Sequence, residues 1–427
     1  MQIKQRVGSA LSGALLTLAI TSTAAQAATP PEQAGGSNAI LLQGFHWNSA
    51  NYAGPNWYNT LQNNAGDIKA MGFTHVWFPP PSDAGSKEGY LPRQLNVLSS
   101  SYGSANDLTN AVHALTNLGV RAVVDVVVNH RVGSTGWSDF TNPSWSRYAI
   151  TSADECNCGL GSADSGDGYG SARDLDHTNV GEVQNGIISW LNNVVKPVGF
   201  TGIRYDFVKG YNPSYAAKYA NAFNAELCVG ELWNNLDLNN VDAHRQGIMN
   251  WINGTNSSCG AFDFTTKGLL NDALANNNYW RLKDSAGKPA GAVGWWPAMA
   301  VTFVDNHDTG PAESCGSGQN LWAVPCGAVM QGYAYILSHP GIPTVFYPHV
   351  YNWGLKTPIQ ALMSARKAAG VNSTSAVAIQ QATTGLYAAI VNGSSHQLAM
   401  KIGPNNWNPG SGWTLQTSGN NYAVWMK

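Results

Sequence analysis

The sequence predicts an α/β chain: a closed (β/α)8 TIM barrel with an irregular insertion after the third strand and a small antiparallel β domain at the carboxyl end. Three observations carry this. Eight short apolar runs alternate with amphipathic helical patterns between residues 40 and 346, the signature of successive βα units. The third run, 120–128, is almost continuously apolar, as a strand buried on both faces requires. Polar residues with chemical potential follow directly after several runs, and a barrel of this kind carries its active site at the carboxyl ends of its strands.

Before the barrel, Lys4 and Arg6 precede an apolar run at 11–20, and Ala25-Gln26-Ala27 is a small-x-small cleavage pattern. Residues 1–27 therefore read as a signal peptide, so the mature chain is expected to begin near Ala28 and to be secreted. The run is too short to span a bilayer, and no other stretch has membrane length. A first strand is expected at 40–45 and a helix at 56–70, with Gly72 just past its end. A second strand at 74–78 stops at Pro79-Pro80-Pro81. Ser104 and Asp107 form a capping box, followed by Leu108, Ala111, Val112, Leu115 and Leu118 at helical spacing until Gly119.

After the third strand the alternation stops. Residues 131–173 are rich in Gly, Ser, Asp and Asn and read as an excursion of the kind that usually serves function. The alternation resumes with a helix at 180–195, the strand ending at Asp206, and strands at 226–231, 261–264, 300–304 and 342–346. Beyond residue 366, short alternating segments at 385–391, 396–402 and 422–426 predict the antiparallel domain. The expected division is a barrel over 28–130 and 174–366, the insertion at 131–173, and a terminal domain at 367–427.

Composition narrows the function classes. A net charge of −2 with 11% charged residues excludes a polyanion-binding surface, which needs clustered Lys and Arg, so no nucleic-acid partner is expected. The 16 Trp and 17 Tyr exceed what core filling asks for and suit stacking on the flat apolar faces of sugars. Six cysteines in an exported chain point to disulfides, and many pairings are possible. Cys315 with Cys326, and Cys228 with Cys259, are the favoured pairs, leaving Cys156 and Cys158.

Four strand ends carry the candidate chemistry. The third reads Asp125-Val-Val-Val-Asn129-His130, the fourth Arg204-Tyr-Asp206, the fifth Gly230-Glu231-Leu-Trp233, and the seventh Asp305-Asn306-His307-Asp308. Arg204 and Asp206, two apart, share a strand face, and a guanidinium beside a carboxylate favours its ionised form. Glycosidic bond cleavage with retention needs a carboxylic acid and a carboxylate about 5–5.5 Å apart, and adjacent strands lie about 4.8 Å apart. Asp206, held ionised by Arg204, is therefore expected as nucleophile. Glu231, with no obvious neighbouring cation and beside Trp233, is expected as acid/base. Asp308 is expected to stabilise the transition state, with His130 and His307 on ring hydroxyls.

These segments resemble the four signature regions of the α-amylase family of retaining glycoside hydrolases. The likeness is greatest to its plant-type members, through Gly44-Phe-His-Trp47, Val76-Trp-Phe-Pro-Pro-Pro-Ser82, Gly294-Trp-Trp-Pro297 and Val329-Met-Gln-Gly-Tyr-Ala-Tyr-Ile-Leu337. The resemblance implies a secreted bacterial monomer that hydrolyses starch and maltooligosaccharides at internal α-1,4 bonds. It implies the same roles for Arg204, Asp206, Glu231, Asp308, His130 and His307. Tyr90 would stack on the sugar at the cleavage point, Trp47 would touch substrate, and Lys209 and Trp233 would line the leaving-group side. The insertion would be a domain B tied to the barrel by Ca2+, with Asn129, Asp174 and the Gly210 carbonyl as ligands and Asp164 and Asp167 completing the shell. Trp295 and Trp296 resemble a surface starch-binding pair, although adjacent tryptophans in a strand would face opposite ways. Tyr387 resembles a second surface contact. Competing readings are a maltooligosaccharide-forming exo-enzyme, a non-catalytic glucan-binding protein on the same fold, and a metal-dependent hydrolase using His130 and His307, which lacks a third clustered ligand.

Overall fold

A computed structural model describes residues 29–54 and 56–427, and the expected signal peptide lies outside the described residues. Each of the eight apolar runs forms one strand of a closed, parallel barrel: β1 Leu41–Gln43, β2 His75–Trp77, β3 Arg121–Val126, β4 Phe200–Tyr205, β5 Leu227–Gly230, β6 Gly260–Phe262, β7 Ala300–Phe303 and β8 Ile342–Phe346. The strand order around the barrel is β1-β8-β7-β6-β5-β4-β3-β2, as right-handed βα crossovers produce. Nearly every strand residue is buried, because the barrel interior packs one face and the helices the other. The strands are shorter than the apolar runs that mark them: each ladder ends where the chain turns towards the candidate site.

Local signals set the helix ends. The helix Trp57–Met71 starts at Asn56, whose side chain accepts from Asn59 N at 3.0 Å, and stops at Gly72 in the left-handed region, φ 104°. The helix Ala105–Thr116 opens on the reciprocal Ser104/Asp107 capping box. The segment expected as a helix over 180–195 has a regular α-helical centre, Asn185–Trp190, flanked by wider turns. Gly186 within it lies against Trp145 of the insertion, where a Cβ would approach the indole to 2.6 Å.

The insertion is closed at its neck by a two-stranded ladder that pairs His130 with Asp174 and Arg131 with Arg173. It is organised by one buried cation. Arg131 is fully buried, with its guanidinium over the rings of Phe140 and Trp145 at 4.9 and 4.6 Å. It donates to the carbonyls of Arg93, Pro143 and Thr141. Thr141 and Pro143 lie in an irregular segment and Arg93 lies in a short strand outside it, so the guanidinium ties the insertion to a neighbouring strand and does the work that backbone pairing does elsewhere. With no carboxylate opposite, burial lowers its pKa to about 9.

Two disulfides join the favoured pairs, Cys228–Cys259 across β5 and the start of β6 and Cys315–Cys326 across the loop after β7, and the third joins the two cysteines left over, Cys156–Cys158 within the insertion. The terminal domain is a five-stranded antiparallel sheet, with β9 Ala376–Thr383, β10 Leu386–Asn392, β11 Gln397–Ile402, β12 Thr414–Gly419 and β13 Tyr422–Met426 in the order β9-β10-β11-β13-β12. Three of these match expected segments. The other two, β9 and β12, are edge strands with mostly exposed side chains, so no buried face imprints an apolar pattern on them. Tyr387 is not a surface residue as the resemblance implied: it is fully buried where β10 meets the barrel, its hydroxyl 2.8 Å from His339 Nε2. Among the described residues no helix is long and apolar enough to cross a membrane.

Replacing Arg131 by Met keeps the stem between the two aromatics and orphans the carbonyls. At about 1–3 kcal/mol per buried unsatisfied group, an overall loss of ~3 kcal/mol is expected, with residues 132–172 becoming the first segment cut in limited proteolysis. An unchanged cleavage map, read by mass spectrometry, would show that Arg131 does not organise the insertion.

Candidate active site

Register brings the candidate charges together. In the β3–β4 ladder Asp125 stands directly beside Arg204, and in the β4–β5 ladder Tyr205 pairs with Gly230. The ladder extends one step further, with Asp206 N donating to Val126 O and Glu231 N to Tyr205 O, both at 3.0 Å. Arg204, fully buried, therefore sits below both carboxyls. Its Nη1 donates to Asp125 Oδ1 at 2.8 Å and to Asp206 Oδ1 at 2.9 Å, and its Nη2 lies 2.7 Å from Glu231 Oε2. The guanidinium also lies over the Trp77 ring at 4.9 Å. The expectation that Glu231 lacks an adjacent cation is thus corrected: strand register gives it the same arginine as Asp206.

One guanidinium does not neutralise this site. Burial pushes the carboxyls of Asp125 and Asp206 up to about 6 and that of Glu231 up to about 7, against the opposing pull of Arg204. Asp206 is therefore not held in the ordinary carboxylate range, as its pairing with Arg204 alone had implied. The asymmetry between the two is the informative part. Burial leaves Glu231 with the higher value of the two, so Glu231 is the more readily protonated carboxyl and Asp206 the more readily ionised one. Asp308 is raised well above its ordinary value, first by burial and then by Glu231.

These groups open onto a cleft of about 340 Å³ lined by Trp47, Tyr90, Tyr169, Asp206, Phe207, Lys209, Glu231, Trp233, Asn235, His307, Asp308 and Gln319. Tyr90 stacks on His307 and on Trp47, with centroids at 5.1 and 6.2 Å, and its hydroxyl donates to Asp125 Oδ2 at 3.0 Å. Gln43 Nε2 donates to His307 Nδ1 at 2.8 Å, leaving Nε2–H towards Asp308 Oδ2 at 3.3 Å. Burial holds the His307 pKa well below its ordinary value, so it is a neutral donor. Two expected contacts stand behind the wall rather than on it. Arg204 is covered by its carboxylates, and His130 is buried with Nε2 on the Tyr90 carbonyl at 2.8 Å and its ring stacked on Tyr169 at 3.9 Å.

Four lining residues escaped the sequence reading: Tyr169, Phe207, Asn235 and Gln319. Gln319 lies eleven positions beyond Asp308 and donates to its Oδ1 at 2.8 Å, a contact made by loop closure and carrying no local motif. Phe207 could have been noticed by its position after Asp206. Its backbone is left-handed, φ 44°, and its N–H is directed at Glu231 Oε2 at 3.3 Å.

Three of the residues expected to hold a metal, Asn129, Asp174 and Gly210, meet at the neck of the insertion. Asn129 Nδ2 donates to Asp174 Oδ1 at 3.1 Å, and Gly210 approaches so closely that a Cβ there would stand 2.0 Å from Asn129 Oδ1. Burial, reinforced by Asp164, Asp154 and Glu155, pushes Asp174 up to about 7. Among the described residues, the acidic group with converging ligand atoms is Asp154, Glu155 and Asp174, which could hold a metal ion. Asp154 and Glu155 were not expected. Asp164 belongs electrostatically to the same group, whereas the exposed Asp167 carboxylate turns to Lys209 Nζ at 3.6 Å. A buried, under-neutralised carboxylate beside an amide oxygen and a backbone approach reserved for glycine is a fitting donor set for a hard cation.

Trp295 and Trp296 lie between two short 3-10 turns rather than in a strand. Trp295 is exposed with the Arg245 guanidinium 3.9 Å over its ring, while Trp296 is half-buried against the core. Arg245 also lines a second cleft of about 310 Å³ that includes the exposed Trp280.

Comparison with known proteins agrees with this geometry. Residues 65–150 match the family described as alpha amylase, catalytic domain, and residues 368–426 the alpha-amylase C-terminal beta-sheet domain. The chain is 42% identical over 404 residues to probable alpha-amylase 2 of Arabidopsis thaliana, covering 91% of this chain and 94% of that protein. It is 34% identical over 418 residues to a glucan 1,4-alpha-maltotetraohydrolase of Stutzerimonas stutzeri, covering 93% and 74% respectively. Among solved structures, an alpha-amylase from Geobacillus thermoleovorans complexed with acarbose shares the fold with a TM-score of 0.67 at 15% identity, over 93% of this chain and 98% of that one.

Replacing Arg204 by Met tests the electrostatic account through stability alone. Asp125, Asp206 and Glu231 have folded-state pKa values raised above the unfolded ones, so their protonation stabilises the fold at low pH and that contribution is lost as pH rises through about 6 to 7. Without the guanidinium the ionised forms are unpaired. Urea denaturation should show a loss of about 3–5 kcal/mol at pH 8 and a distinctly smaller loss at pH 5. A pH-independent loss would contradict the account.

Proposed function

The chain belongs to the α-amylase family of glycoside hydrolases, and from that premise we propose that it hydrolyses internal α-1,4-glucosidic bonds of starch and maltooligosaccharides with retention of configuration. One observation carries the reading: Asp206 and Glu231 are held on the two Nη atoms of a single buried guanidinium, and Glu231 is the more readily protonated of the two. Carboxyls anchored on one guanidinium, at 2.9 and 2.7 Å from its two Nη atoms, favour the retaining geometry over the inverting one, whose pair stands about 6.5–9.5 Å apart.

In the first step the Glu231 carboxyl proton passes to the glycosidic oxygen as the C1–O bond breaks, and the Asp206 carboxylate forms a bond to C1. The leaving chain departs past Lys209 and Trp233. In the second step Glu231, now a carboxylate, takes a proton from water as the water oxygen attacks C1 and Asp206 is released. Asp308, steadied by His307 and Gln319, bears on the sugar at the reacting carbon, and Tyr90 gives that sugar a flat face to stack on. Arg204 acts through Asp206 and Glu231, and His130 acts through Tyr90.

A second reading is favoured by the likeness to a maltotetraohydrolase: an exo-acting enzyme releasing one chain length from an end. Early products separate the two readings, since a ladder of lengths supports internal cleavage and one dominant oligosaccharide the exo mode. The expected leader and the three disulfides support secretion, and the low charge, 11% of residues, supports action on a neutral polymer; the protein is proposed to act as a monomer. Trp295, with Trp296 behind it, is proposed as a surface contact for the same polymer.

Calcium is the cation we assign to the neck of the insertion, held by Asn129, Asp174 and the Gly210 carbonyl, with Asp164 and Asp167 expected to complete the set and Asp154 and Glu155 adding charge. Bound there, it supplies positive charge that ties the insertion to the segment following Asp206. Gly166, where a Cβ would meet the Lys209 carbonyl oxygen at 2.4 Å, keeps those two pieces of backbone in contact.

Asp206→Asn and Glu231→Gln are each expected to lower kcat on soluble starch by at least ~10²-fold, and NMR of the first products should show the α anomer. Retention of activity within tenfold in either variant, or a β product, would refute the assignment.

Chelation with EDTA should lower the melting temperature. Because Asp174 is raised to about 7 in the folded chain, the chelated protein keeps that group's contribution at low pH and loses it as pH rises through about 7. The gap between calcium-loaded and chelated protein should therefore widen from pH 5 to pH 8, and equal melting temperatures would remove the cation.

A further inference from the structure

Among the fully buried cations that the reaction outlined above does not use, Lys267 is the one tied to the loop that carries Asp308. Lys267, in the helix Phe264–Asn276 that follows β6, has no solvent exposure. Desolvating an ammonium is expensive and is compensated only by good partners. Its partners all belong to, or lead to, the loop after β7. Lys267 Nζ lies 2.6 Å from Asp305 Oδ1 and 3.0 Å from Asn271 Oδ1. Asp305 is on the outgoing arm, three residues before Asp308, and its Oδ1 also accepts from Val324 N at 3.3 Å on the returning arm. Asn271 Nδ2 donates to Trp322 O at 2.8 Å, again on the returning arm.

Between these arms Asp308 is laced in place. Its N–H donates to Asn306 Oδ1 at 3.0 Å, and its carbonyl accepts from Leu321 N at 3.0 Å. Trp322 N donates to Thr309 O at 3.0 Å, and Gln319 Nε2 donates to the Asp308 carboxyl. On the far side of Asp305, His349 Nε2 stands 3.8 Å from Oδ2, with its Nδ1 held by the Tyr333 hydroxyl at 2.7 Å. That side is too distant for a hydrogen bond, so the ammonium is the close charged partner of Asp305.

We propose that Lys267 is a positioning residue for Asp308: its buried ammonium ties the outgoing and returning arms of the β7 loop into one unit and so sets where that carboxyl meets the sugar. The inference rests on the reading of Asp308 as a group acting at the reacting carbon. Transition-state interactions fall steeply with displacement, a shift of about 1 Å costing up to ~10²-fold in rate, and their loss lowers kcat more than it raises KM.

The test uses the full chain and maltoheptaose, comparing wild type with Lys267→Met, the double variant Lys267→Met/Asp305→Asn, and Asp308→Asn. The single variant leaves Asp305 buried and unpaired and is expected to lose stability. The double variant removes both charges at nearly constant volume, so it should melt close to wild type while lacking the bridge. Its kcat should fall by at least about tenfold, with KM within about threefold. A kcat within twofold of wild type in the double variant would overturn the clamp. The Asp308→Asn arm separates the two ideas: activity retained there removes the role of Asp308 itself, whereas an inactive Asp308→Asn beside a fully active double variant removes the clamp alone.

Discussion

One buried guanidinium facing more negative charge than it can balance is the constraint on which the active end of this barrel depends. Arg204 reaches Asp125, Asp206 and Glu231 within hydrogen-bond distance, and Asp308 stands close enough to feel all of them. In water such a cluster would simply ionise. Inside a barrel mouth walled by Tyr90, Trp77 and His307 each ionisation is costly, so protons are retained. Burial leaves Glu231 with a higher proton affinity than Asp206. Two chemically similar side chains thus acquire different proton affinities from where they stand, which is the basis of the acid and nucleophile roles proposed for them.

The same shortage of partners recurs in the scaffold, with a different solution each time. Arg131 in the insertion and Arg366 under β8 are buried without carboxylates and are satisfied by carbonyls: Arg131 by those of Arg93, Thr141 and Pro143, Arg366 by those of Leu337, His339 and Gly341. Each gathers carbonyls from separate segments onto one guanidinium. Lys267 is satisfied instead by Asp305 and Asn271. These three cations hold the irregular parts of the molecule, while the parallel ladder holds the regular part. The division of labour matters because the cleft is built mostly from irregular segments: Tyr90, Tyr169, Asn235 and Gln319 all lie outside the barrel strands.

Much of this was legible in the residues themselves. The eight apolar runs became the eight strands because burial on both faces leaves a continuous apolar imprint. The Ser104/Asp107 box and Gly72 marked helix ends because capping is a local matter. The strand-end positions of Asp206, Glu231 and Asp308 followed from the barrel rule. What was missed shares a cause. Strands β9 and β12 have exposed edges and no buried face to pattern. Gln319 reaches Asp308 only because the loop closed by Cys315–Cys326 folds back. Tyr387, apparently a surface tyrosine, is buried because β10 packs its inner face on the barrel.

The sequence by itself determined which groups exist and the order in which strands deliver them: a guanidinium two residues before a carboxylate on one strand, a second carboxyl at the end of the next, and a third after the seventh. Only the tertiary structure decided how the charges are shared. Strand register placed Arg204 under Glu231 as well as Asp206, and burial raised both carboxyls. Periodicity along a chain reports which face a residue occupies. Proton affinity depends on the distances and desolvation that arise when separate strands close around one space, and no single segment carries that information.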